Sequence, residues 1–226
     1  MRALPGRESR TTVPAPAATP QRGNVADAQR ARIRRATGEL VAKRGYAGTS
    51  VELIVKRARV GFKTFYNHYA NKEEAFLDLF DYVLDRTRAQ ILVAVEAAGV
   101  PWPERVALAI KEFFAAIAAE PQLARACLVE APTAGPRVLA RYEQVPLALI
   151  PLLREGRSYR PEAASLPETI EETLAGSVLW SAYQRLNFAE VEQLPELVPE
   201  NIELVLRPYI GEREAARTAA ATASAG

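Results

Sequence analysis

Residues 49–76, TSVELIVKRARVGFKTFYNHYANKEEAF, constrain this chain more than any other stretch. They read as a short helix, a tight turn, a second short helix rich in aromatics, and the capped start of a third. Thr49 and Glu52 form an S/T-x-x-E capping box ahead of a helix over about 50–57, with Val51, Ile54 and Val55 turned inward. Arg59, Val60 and Gly61 make the turn, and the next helix covers about 62–69. Asn71 and Glu74 resemble a second capping box, which opens a long helix to about 97. Two short helices about a tight turn can offer one exposed helix to the major groove of duplex DNA.

The charge distribution agrees. Residues 1–72 hold 15 Lys and Arg against 4 Asp and Glu, while residues 73–226 hold 14 against 23. A net charge of only +2 therefore hides a basic end on an acidic body, the footprint of a polyanion-binding domain. The other reading is a basic disordered tail on an ordinary surface, but the basic residues continue into helical segments.

Almost everything between the termini has helical period, and no strand alternation stands out. The predicted fold class is all-α: an N-terminal three-helix domain joined by a long fourth helix to a C-terminal helical domain. A first helix over about 24–44 precedes Gly45, a C′ glycine. The fourth carries an apolar stripe of Phe76, Leu79, Phe80, Val83, Leu84 and Ile91. Further helices are expected over about 103–119, 121–130, 135–155, 167–188 and 195–210, the third of these kinked or broken at Pro146 and Pro151. Residues 1–23, rich in Pro, Ala, Thr and Arg, read as a disordered tail, and residues 212–226 as a frayed one. The expected division is thus a helix-turn-helix domain at 24–71 and a body at 72–211.

Residues 28–76 resemble the N-terminal domain of the TetR (tetracycline-repressor type) family of transcriptional regulators. The matching pieces are Gly45-Tyr46, Thr49-Ser50-Val51-Glu52-Leu53-Ile54, and the run from Thr64 through Phe65, Tyr66, Asn67, His68 and Tyr69 to Lys72-Glu73. The chain departs from the family pattern at Arg59, Gly61, Phe62-Lys63 and Tyr69. The other three-quarters resembles the family only in length and helicity.

In the second short helix Phe65 and Tyr69 share one face, where Phe65 should pack on Ile54 and Ile33. Lys63, Thr64 and Asn67 then point outward. Lys63 can reach a guanine edge or a phosphate, Asn67 an adenine edge, and Thr64 a phosphate or a thymine methyl. The resemblance gives Tyr66 and Lys72 phosphate contacts. Thr49, at a helix start, can bind phosphate through backbone N–H groups. His68, the only histidine, is expected in the corner between the third and fourth helices, with a phosphate hydrogen bond open to it. Arg30, Arg32, Arg34 and Arg35 are either a solvated face or backbone contacts.

By resemblance the last two long helices pair with their copies in a homodimer, for which Leu174, Val178, Ser181, Ile202, Val205 and Leu206 are the candidate contacts. The middle helices would enclose an effector cavity lined from among Phe80, Leu84, Phe113, Phe114, Ile117, Leu128, Tyr142, Leu149, Trp180 and Tyr183. Tyr142, Glu130 and Arg141 are its candidate polar anchors, and a hydrophobic or amphipathic small molecule its expected occupant.

The single cysteine, Cys127, lies in an apolar helical run and reads as a buried small hydrophobe. One His and one Cys offer neither metal-ligand spacing nor a nucleophile–base pair, so no metal, cofactor or catalysis is expected. No apolar run reaches membrane-spanning length and the N-terminus lacks a signal-peptide core, so the expected setting is cytoplasmic. The reading is a dimeric, ligand-responsive repressor of transcription. Its rival is a helical small-molecule-binding or scaffold protein without specific DNA binding.

Overall fold

The computed structural model describes residues 22–224 apart from Ala98 and Ala189. The expected tail at 1–23 lies outside these residues except for its last two, Arg22 and Gly23, which begin the first helix. All regular structure among the described residues is helical. The α-helices are α1 (Arg22–Arg44), α2 (Val51–Ala58), α3 (Phe62–His68), α4 (Lys72–Ala97), α5 (Trp102–Ala119), α6 (Pro121–Arg125), α7 (Pro136–Tyr142), α8 (Ile150–Glu155), α9 (Ile170–Asn187), α10 (Leu197–Ile210) and α11 (Glu212–Ser224).

Three apolar clusters stack along the molecule. The first joins α1, α2, α3 and the start of α4 through Ile33, Ile54, Val55, Phe65, Tyr69 and Ala75. The second sits where α1 meets the body and contains Val41, Phe76, Leu79, Phe80, Cys127 and Val138. The third and largest fills the body among α5, α8, α9, α10 and α11. The packing of Phe65 with Ile54 and Ile33 is as the side-chain register predicts, and all three are fully buried.

Local chemistry explains the boundaries. Ser50, not Thr49, is the N-cap of α2, and its hydroxyl accepts from the Leu53 N–H at 3.3 Å. Thr49 is shifted one residue outward and turns its hydroxyl back to donate to the Gly45 carbonyl at 2.9 Å. Asn71 caps α4 as expected, accepting from the Glu74 N–H at 2.9 Å, while Glu74 reaches back one residue further to the Ala70 N–H at 2.8 Å. Arg59, which ends α2, stands in the left-handed region at φ 54° and ψ 49°.

The segment over 135–155, expected to be kinked or broken at Pro146 and Pro151, is broken into α7, a 3₁₀ turn at Pro146–Ala148, and α8. A proline cannot donate to the preceding turn, so Pro146 and Pro151 each open a new helical piece rather than bend an old one. Residues 212–224 are not a frayed tail. They form α11, which lies on α10 and α5 with Ala215 and Ala219 buried. Alanine carries the highest helix propensity, and Arg160 pairs with Glu214 to pin the helix to the body.

Candidate nucleic-acid interface and internal cavity

The outer face of α3 is open. Phe62 is 51% and Tyr66 55% exposed, and Lys63 and Asn67 are exposed beside them. Thr64 is half-buried, while Phe65 and Tyr69 close the inner face. The Tyr66 ring meets Phe65 edge-on at 5.4 Å between centroids, which fixes its direction and leaves its hydroxyl outward of the core. Phe62 is exposed but absent from the predicted set: three residues before Phe65, it falls by register on the side of Phe65 and Tyr69, and only its place as the first residue of α3 sets it apart from them.

Other predicted contacts are differently employed. Thr49 is 2% exposed and its hydroxyl is spent on Gly45, so its side chain is sealed inside. The Lys72 ammonium donates to the carbonyls of Tyr46 and Thr49, both at 2.8 Å, and lies 4.0 Å from the Tyr46 ring centroid. Burial pulls its pKa below the ordinary lysine value. Lys72 therefore clamps the α1–α2 loop onto the start of α4. His68 is half-buried, with Nε2 3.4 Å from Gln29 Oε1 on α1 and its ring 6.1 Å from that of Tyr69, so these partners lie on α1 and its own turn and not on the fourth helix.

The arginines of α1 split. Arg30 pairs with Asp78, Arg34 lies 3.6 Å from the same carboxylate and 3.7 Å over the Tyr82 ring, and Arg35 pairs with Glu39 at 3.0 Å. Arg32 is exposed. Asp78 also accepts from the Tyr69 hydroxyl at 2.8 Å, so one carboxylate joins α1, α3 and α4.

Two adjoining cavities lie beside α4 and α5. The smaller, about 60 Å³, is lined by Phe80, Leu84, Phe113, Ile117, Cys127 and Leu128, among others. The larger, about 340 Å³, is bounded by Leu84, Arg88, Ile91, Val95, Ile110, Phe113, Leu149 and Val178, among others. Leu84, Thr87, Phe113 and Val145 line both. Six of the ten predicted lining residues are thus at the cavities: Phe80, Leu84, Phe113, Ile117, Leu128 and Leu149. Phe114 is not, since it is 1% exposed in the solid core. Tyr142 is half-buried against both clusters rather than on a cavity wall, and desolvation raises its phenol pKa. Trp180 and Tyr183 stack on each other at 5.3 Å and 13°, with Trp180 59% exposed on the outside. Of the predicted polar anchors, Arg141 pairs with Asp81 at 3.0 Å, and Glu130 accepts from the Tyr46 N–H at 2.9 Å.

The predicted dimer residues are also redistributed. Leu174, Val178, Ile202, Val205 and Leu206 are buried within the chain's own core, and Ser181 is half-buried with its hydroxyl donating to the Ser177 carbonyl. Each of these side chains already has its neighbours, supplied by α5, α9, α10 and α11. The outer faces of α9 and α10 present Trp180, Phe188 and Leu204 instead, each at least half exposed.

Cys127 is buried as predicted, and desolvation pushes its thiol up to about 12. No helix among the described residues is long and apolar enough to cross a membrane.

Residues 33–79 match the family model described as bacterial regulatory proteins, tetR family. No curated protein matches the chain by sequence. Solved structures share its fold. FadR from Bacillus halodurans, a fatty acid degradation regulator, is 22% identical with a TM-score of 0.69, over 78% of this chain and 97% of that one. The transcriptional regulator FadR from Bacillus subtilis, solved with stearoyl-CoA, is 20% identical with a TM-score of 0.68, over 79% and 98%. A gamma-butyrolactone receptor described as ArpA-like is 21% identical with a TM-score of 0.66, over 89% and 100%. At these identities the likeness establishes the fold: a TetR-type helix-turn-helix domain on an all-helical body.

Proposed function

We propose that the protein is a dimeric, ligand-responsive transcriptional regulator that leaves a pseudo-palindromic operator when a small hydrophobic or amphipathic effector binds. The observation that carries this reading is the two-sidedness of α3: Phe65 and Tyr69 are sealed inward while Lys63, Tyr66 and Asn67 stand free with Phe62. An exposed aromatic pair, Phe62 and Tyr66, on a seven-residue helix is apolar surface of the kind that meets a partner. Lys63 and Asn67 supply base-edge chemistry, and Tyr66 supplies a hydroxyl for a phosphate.

Two copies place two α3 helices on successive groove faces. The stacked Trp180–Tyr183 pair, with Phe188 and Leu204, is the surface we assign to that pairing. The apolar cavities fit the effector, in keeping with structural relatives that include a regulator bound to stearoyl-CoA and a gamma-butyrolactone receptor.

The response is a population shift between two arrangements of the α3 pair. A route for it runs through the π-helical turn Ala126–Glu130, whose Cys127 and Leu128 line the smaller cavity while Glu130 holds the α1–α2 loop. Such turns recur at functional sites.

The test is a fluorescence-anisotropy titration of the full chain with its own upstream DNA at several salt concentrations. Saturable, salt-sensitive binding at least a hundredfold tighter than to scrambled DNA is the expected result. Equal weak binding to every duplex points instead to the helical scaffold alternative.

A further inference from the structure

The two cavities differ in size but share a waist of Leu84, Thr87, Phe113 and Val145. Their walls follow α4 from Phe80 to Val95, about 22 Å of helix at 1.5 Å per residue. The space is therefore long and narrow, and its lining is almost wholly aliphatic and aromatic. Its charged rim is not neutral in effect. Arg86 is matched by Glu120 at 3.0 Å, and Arg105 by Glu155 at 2.6 and 3.3 Å. Arg88, exposed at the mouth of the larger cavity, has no ion-pair or hydrogen-bond partner among the described residues.

We infer that the effector is an elongated aliphatic molecule bearing a single anionic head, with its body lying along α4 through the Leu84 waist and its head on Arg88. This rests on the reading of the cavities as the effector site. An apolar body replaces water along the walls, which is where the affinity arises. The head decides the class. A guanidinium offers a planar fork of donors that a carboxylate or phosphate can match, and charge-assisted bonds of this kind exceed neutral ones. A cationic amphipath would face Arg88, while the two acidic residues of the lining, Glu120 and Glu155, are already engaged.

The experiment is isothermal titration of the full chain with four ten-carbon probes: decanoate, decyl phosphate, decan-1-ol and decyltrimethylammonium. The two anions should bind about tenfold or more tighter than the alcohol, with the ammonium weakest. Their ratio identifies which head, carboxylate or phosphate, the site prefers. Arg88→Gln, a surface change that leaves the core untouched, should erase the advantage of the anions and leave decan-1-ol unchanged. Leu84→Trp, which fills the waist, should weaken all the probes. Equal binding of decanoate and decan-1-ol, an unchanged ratio in Arg88→Gln, or no binding by any probe overturns the assignment. The same preparation is titrated with operator DNA. Intact DNA binding with failed probes removes only the ligand class, whereas absent DNA binding removes the regulator reading beneath it.

Discussion

Glu130 accepts a hydrogen bond from the Tyr46 backbone N–H at 2.9 Å, across 84 positions of sequence. The contact joins a turn whose preceding residues line a cavity to the loop that carries α2 and α3. Gly45 makes the approach possible. It adopts φ +73°, and a Cβ there would stand 3.1 Å from the Glu130 carboxylate. Lys72 completes the junction by gripping the carbonyls of Tyr46 and Thr49 from the other side. A shift of the turn at 126–130 therefore has a direct mechanical connection to the helix-turn-helix.

Glu130→Ala should break this connection. The Tyr46 N–H loses its partner in a half-buried site, at a cost of about 1–2 kcal/mol. Amide exchange at Tyr46 should accelerate, and operator affinity should fall with it. Glu130→Gln keeps an acceptor oxygen and should restore most of both. Equal loss in the two variants would show that charge, not the hydrogen bond, matters at this junction.

On α3 the three outward polar residues should separate by role. Tyr66→Phe removes a neutral hydroxyl and should weaken binding to all duplexes alike, by about 1 kcal/mol, with the salt slope kept. Asn67→Ala and Lys63→Ala should change base preference, read by competition among operator variants. If both leave preference and affinity intact, the face assigned to the groove is the wrong one.

Arg59 holds a left-handed conformation that glycine adopts without strain. Arg59→Gly should stabilise the fold by about 0.5–1 kcal/mol, the relief of strain exceeding the added entropy of the unfolded chain. Denaturant melts measure it. The same variant removes a positive charge beside α3, so DNA affinity should not rise along with stability.

How much of this the sequence disclosed differs between the two ends. The helix-turn-helix was legible because its signals are local. Phe65 and Tyr69 set the register of α3, and Asn71 with Glu74 marks the start of α4. Thr49 misled because Ser50 beside it is an equally good cap, and only burial decides between them. In the body the apolar residues were identifiable but their partners were not. Ile202, Val205 and Leu206 face their own chain because α11 and α5 lie alongside α10. An alanine-rich terminus shows no apolar stripe, so nothing in the sequence announced that covering helix. Glu130 was legible only as a polar residue near a cavity, since its true partner is a backbone group 84 residues away.

Arg157 and Glu171 give the body a test in acid. Glu171 is 1% exposed, and its carboxylate receives Arg157 at 2.6 and 3.0 Å; Arg157 also donates to the carbonyls of Leu166 and Pro167. The Arg157 guanidinium holds the Glu171 carboxyl below its ordinary value. A depressed carboxylate contributes stability that is present above its unfolded pKa and lost as pH falls through the lower folded one. The loss therefore belongs below about pH 4.5, not near neutrality. Arg157→Ala leaves the Glu171 carboxylate without its cation, with only the Tyr209 hydroxyl at 3.4 Å, and should lower stability at pH 7. Its thermal melt should improve relative to wild type as pH is lowered and Glu171 becomes neutral. A constant difference from pH 7 to pH 3 would remove the ion pair from the account.

Cys127 reports on the junction from inside. It is buried among Val41, Phe76 and Leu128's neighbours at the cavity wall, and its thiol is raised to about 12. The thiolate is the reactive form, so alkylation by iodoacetamide at pH 8 should be slow in the folded protein and fast in denaturant. An effector that occupies the smaller cavity, whose wall includes Cys127, should slow the residual folded-state reaction further. Labelling followed by intact mass measures each rate. Rapid modification of the folded chain would mean that this turn opens freely, and the connection from cavity to Tyr46 would then carry no signal.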